Sequence, residues 1–66
     1  IDLREVLFEM RQIGNSVRVA AIDPHSNTEV VVVGSPHMSP YSLKINAIRK
    51  LRFVIAKKQA LEASKP

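Results

Sequence analysis

The stretch "DPHSNT" places Asp23, His25 and Ser26 within four residues, the side-chain types of a nucleophile, a base and an orienting carboxylate. Such a set works only when the base lies between nucleophile and orienter in a held geometry. Neighbours in one tight turn rarely achieve that, and Asp before Pro is a strong turn former through its own side chain. Asp23 is therefore read as an Asx-type turn residue. Glu5 and Glu9 could act as a carboxylate pair only if brought together, and strand spacing along one face would separate them. Gly14 and Gly34 are the only glycines, both at expected turns, so no phosphate-cradling loop is present. There is no cysteine, which removes disulfides, thiolate zinc sites and thiol catalysis together. His25 and His37 sit in Pro/Ser-rich connections without a second ligand at metal spacing. The sequence thus indicates no enzyme, no cofactor, no metal and no small-molecule substrate.

The other chemistry on offer is positive charge. Ten Lys and Arg against six Asp and Glu give a net charge of +4, with a pI near 10.0. This permits contact with nucleic acid or acidic surfaces without establishing it. Lys44, Arg49, Lys50, Arg52, Lys57 and Lys58 lie between Met38 and Leu61 with no acid among them, which has the look of a basic amphipathic helix. Lys57 and Lys58 would also suit the C-terminal end of a helix dipole. The candidate polyanion contacts are Arg11, Arg18, Arg49, Lys50, Arg52 and Lys57. Interleaved Glu9 and Glu29, which could pair diagonally with the two strand arginines, make a poor phosphate track. Nucleic-acid binding is accordingly the second reading.

The elements that position these groups follow from periodicity. "EVLFEMRQIGNSVRVAAID" contains two β-rich runs around Gly14-Asn15, a two-residue hairpin signal. That loop pairs Ile13 with Ser16, Met10 with Val19, and Arg11 with Arg18. One face then carries Val6, Phe8, Met10, Val17, Val19 and Ala21. A second turn over residues 24–27 pairs Asp23 with Thr28 and Ala21 with Val30. Shifting that register by one residue would drive Glu29 into the core. Strands are expected at about 5–13, 16–23 and 28–34. Ser39-Pro40 is a good helix start, with Ser as N-cap and Pro at the first helical position. A helix over about 40–63 would be ~36 Å long and overhang strands of ~20 Å. Leu43, Ala47, Ile48, Leu51, Val54 and Ile55, continued by Leu61, form the stripe that would lid the sheet. The expected fold is α+β: a three-stranded antiparallel β-meander packed against one long C-terminal α-helix (βββα), as a single small domain over residues 1–66.

That fold leaves apolar side chains over. Val31 and Val33 of "TEVVVVGS" fall on the second sheet face with Leu7, Ile13 and Ile22, and Ile45 and Phe53 lie off the helix stripe. Covering each fully contributes roughly 1.5–3 kcal/mol, a large share of a typical stability of about 5–15 kcal/mol. A 66-residue chain is also small for a self-sufficient core, and oligomerisation is the remedy its composition leaves open. Leu7, Ile13, Ile22, Val31, Val33, Ile45 and Phe53 are therefore the candidate self-association residues of a homodimer. No apolar run approaches the ~20 residues needed to cross a bilayer. No signal-peptide pattern is visible, although the chain opens on Ile1 rather than Met. A cytoplasmic module is expected.

The succession "VLFEMRQIGNSVRVAAIDPHSNTEVVVVG", followed by a helix containing "AIRKLRFVIAKK", resembles a family of short, uncharacterised proteins from alphaproteobacteria. The resemblance rests on the Phe-Glu-x-Arg strand, the Gly-Asn turn and the Val-x-Val-x-Ala-Ile-Asp-Pro strand and turn. The Thr-Glu-Val entry to the third strand and the Arg-Lys-Leu helix core extend it from about Val6 to Lys58. It implies a bacterial, cytoplasmic, stand-alone protein and brings no activity with it.

Overall fold

The computed structural model describes residues 5–64. Three strands, β1 (Leu7–Ile13), β2 (Ser16–Asp23) and β3 (Thr28–Gly34), precede one helix, α1 (Pro40–Ala63). The strands form an antiparallel sheet in the order β1-β2-β3, so the expected βββα meander is the fold.

The expected register holds throughout. Ile13 pairs with Ser16, Met10 with Val19, Arg11 with Arg18, Ala21 with Val30 and Asp23 with Thr28. Gly14 takes φ 58° in the first hairpin loop while Asn15 keeps a negative φ. Glycine at the first central position is the type II′ pattern, whose twist matches that of the flanking strands. In the second turn Asn27 takes φ 54°, a conformation that Asn tolerates better than most side chains. β1 is shorter than the expected 5–13. Continuing its ladder would set Glu5 against Pro24, which has no N–H to give, and pairing stops at Leu7↔Ile22.

The helix begins as expected. Ser39 Oγ accepts from the Ser42 N–H at 3.1 Å and Pro40 occupies the first turn. Its inner stripe of Leu43, Ala47, Leu51 and Ile55 closes on Val6, Val17, Val19, Ala21 and Val30, all buried. Gly34 lets the helix sit close, since a Cβ there would lie 2.3 Å from Leu43 Cδ2. Three expectations about α1 are corrected. Leu61 is exposed because residues 56–64, all exposed, overhang the sheet. Lys57 and Lys58 stand before the last turn, which carries no basic residue, so they gain little from a dipole effect confined to that turn. And the helix covers β2 and β3 but barely reaches β1. A cylinder about 10 Å wide spans roughly two strands spaced 4.8 Å apart. Met10, assigned by the strand pattern to the covered face, is 39% exposed.

Candidate functional site

The Asp-His-Ser turn is held by its own side chains. The His25 backbone N–H donates to Asp23 Oδ1 at 3.2 Å, the Asx-turn expected from Asp-Pro. Ser26 Oγ lies 2.8 Å from Asp23 Oδ2 and 2.8 Å from Thr28 Oγ1. Asp23 is 2% exposed, and the Ser26 hydroxyl above all holds its carboxyl below the ordinary value, helped by the backbone N–H groups of His25 and Ser26. The His25 ring turns away from both and meets Glu5 Oε2 through Nε2. The base therefore does not stand between Ser26 and Asp23, and the set has no relay geometry. Beside it, an open cleft of about 420 Å³ is lined by Asp23, His25, Ser26, Ile55, Lys58 and Glu62 among others. His37 belongs to a separate turn, its N–H donating to Ser35 Oγ at 3.1 Å.

The sheet's outer face is the second candidate region. Glu9, Arg11, Arg18, Ala20, Glu29 and Val31 line a shallow hollow of about 210 Å³. Arg11 and Arg18 are directly opposite one another, a like-charge placement that destabilises a hairpin. The diagonal pairing expected from Glu9 and Glu29 is not made: among the described residues the one side-chain contact between a basic and an acidic residue is that of His25 with Glu5. The acids are near the arginines without neutralising them by contact.

The candidate self-association residues divide between two surfaces. Leu7, Ile13, Ile22, Val31 and Val33 share the outer sheet face, with Leu7 57% and Ile13 51% exposed while Ile22 and Val31 are half-buried. Phe53, 67% exposed, and the half-buried Ile45 lie on the helix, in the other layer of the molecule. One patch cannot include both sets. Met10 and Tyr41 are exposed as well and were not among the residues singled out by pattern. For Met10 the available signal was geometric, since one helix is too narrow for three strands.

The basic residues also divide. Arg49, Arg52, Lys57 and Lys58 are exposed on α1. Lys44, also exposed, has its Nζ 5.5 Å from the centre of the Phe8 ring. Lys50 reaches past the edge of β3 and donates from Nζ to the Val31 carbonyl at 2.8 Å, so its ammonium is engaged within the chain.

A two-layer βββα unit with a half-covered sheet, arginines and glutamates left unpaired on its outer face and no assembled catalytic set among the described residues is the class this fold and surface define. The chain belongs to the family described as a domain of unknown function, DUF6898, whose model matches residues 3–58. No curated protein and no solved structure matches it. None of the helices among the described residues is long and apolar enough to cross a membrane.

Proposed function

We propose that this chain is a non-enzymatic module that self-associates as a homodimer and serves as a binding partner for another macromolecule. The observation that carries this reading is apolar exposure on both faces of β1: Leu7 and Ile13 on the outer face and Met10 on the inner face, where the helix barely reaches this strand. A chain this small has little core to spare, and covering such residues between copies supplies stabilisation that one copy lacks. The resemblance to short alphaproteobacterial proteins supports a bacterial, cytoplasmic setting. Sedimentation velocity over a concentration series is the test. A reversible dimer that persists at high salt is the expected result, because apolar association is not screened. A lone 7.4 kDa species at high micromolar concentration would overturn it.

A second reading, nucleic-acid binding, is favoured by one feature: Arg49, Arg52, Lys57 and Lys58 are all exposed on a helix whose sole acid is Glu62. Binding to generic duplex that weakens steeply with salt would support it; no binding at low ionic strength would remove it.

A further inference from the structure

The two edges of the sheet are not equivalent, and the backbone pattern shows why. Ile13 and Ser16 flank a two-residue loop and close it as a hydrogen-bonded pair. Alternation from there turns the N–H and C=O groups of Leu7, Glu9, Arg11 and Ile13 toward β2. Those of Phe8, Met10 and Gln12 point outward from the β1 edge. The same alternation carried across β2 turns the backbone groups of Glu29, Val31 and Val33 out from the β3 edge. There Lys50 is found on the Val31 carbonyl, as the alternation requires. The central outward carbonyl of β3 is thus occupied by a lysine of its own chain. Among the described residues, no side chain occupies the outward carbonyls of Phe8, Met10 and Gln12.

We infer that the β1 edge pairs antiparallel with the β1 edge of a second copy, about a two-fold axis through Met10. This rests on the self-association proposed above and names its surface. In this register Phe8 faces the partner's Gln12 and Met10 faces the partner's Met10, each pair exchanging two backbone hydrogen bonds. Between them, in the closer non-hydrogen-bonded positions, Glu9 faces the partner's Arg11 and Leu7 faces the partner's Ile13. Both pairs lie on the outer face, so opposite charges meet and two exposed apolar side chains cover each other. Arg11, set against Arg18 within its own hairpin, gains a carboxylate on its other side. The neighbouring registers that keep the outward groups matched move the axis to Glu9 or to Arg11. They set Glu9 on the partner's Glu9 or Arg11 on the partner's Arg11, and like charges directly opposite are unfavourable. Charge selects one register. Pairing seven residues a side is small against the 20–30 of a standard stable interface, so the dimer is concentration-dependent.

The test uses charge reversal in the full chain. Glu9 and Arg11 are exposed, and circular dichroism should show both variants folded. Glu9→Arg sets like charges against the partner's Arg11 twice per dimer, and Arg11→Glu does the same with acids. Each variant alone should dimerise about tenfold or more weakly than wild type. Mixed one to one, the two should form a heterodimer, because every facing pair is then complementary. Hydrogen exchange should show the Phe8, Met10 and Gln12 amides protected only as concentration rises. A wild-type dimer indifferent to both reversals, or broken by Phe53→Asp instead, would overturn this register and leave self-association standing. A wild-type chain that stays monomeric would overturn both, leaving the β1 edge to a strand of another protein.

Discussion

The two halves of the sheet differ in how their backbone and apolar surface are dealt with. On the β2–β3 side the helix buries Val17, Val19, Ala21 and Val30, and Lys50 occupies an outward carbonyl. Natural sheets use such covering elements and edge lysines to prevent unwanted pairing. On the β1 side Phe8 is half-buried under the ammonium of Lys44, Met10 is exposed, and the helix contributes little else. Width explains the difference: one helix has to choose two of three strands. It chooses the pair that ends at Gly34, where a missing side chain lets Leu43 approach.

The largest expected effect is the difference between truncating the covered core and truncating β1. Leu51, fully buried, should cost about 2–5 kcal/mol as Leu51→Ala, read from urea midpoints at low protein concentration. Met10→Ala under the same conditions should cost less than about 1 kcal/mol, in the range of surface substitutions. Equal losses would mean that β1 is as well covered as its neighbours.

Smaller, but aimed directly at the two edges, is Lys50→Met, which keeps the side-chain stem and removes the ammonium. About 0.5–1 kcal/mol of stability should be lost with an exposed hydrogen bond of this kind. More tellingly, sedimentation should reveal species larger than the wild type's, since the β3 edge is then open to pairing. Unchanged association would mean that Lys50 does not guard that edge.

The gentlest probe is pH. Asp23 has its carboxyl held below the ordinary value of 3.8, chiefly by the Ser26 hydroxyl. Its contribution is fully present above that ordinary value and is lost as pH falls through the lowered folded-state value. Urea midpoints should therefore fall at acid pH, and Asp23→Asn should show less of that fall. An identical acid profile in the variant would remove the turn from the account.

Much of the architecture was readable from pattern because each signal had a local cause. The Gly14-Asn15 loop set the first register, and the cost of burying Glu29 set the second. Ser39 and Pro40 marked the helix start, and the four valines of β3 divided as alternation requires. Val30 is buried and Val32 packs against the core, while on the outer face Val33 is exposed and Val31 is half-buried. The candidate surface was legible only in part. Leu7 and Ile13 are visible in the sequence as apolar residues on a mixed face, yet the same pattern ranks Phe53 with them although it lies in the other layer.

The sequence by itself determined the elements, their order and their pairing, since these follow from turn chemistry and from periods of two and 3.6 residues. Tertiary structure alone decided which strand the helix leaves open, because that depends on the width of a helix against the spacing of strands. It also decided that the Lys50 ammonium meets the Val31 carbonyl at the β3 edge, and that Arg11 and Arg18 lack the diagonal partners their neighbours could have supplied. Composition cannot register such choices. They depend on which polar group arrives within hydrogen-bond reach of which edge.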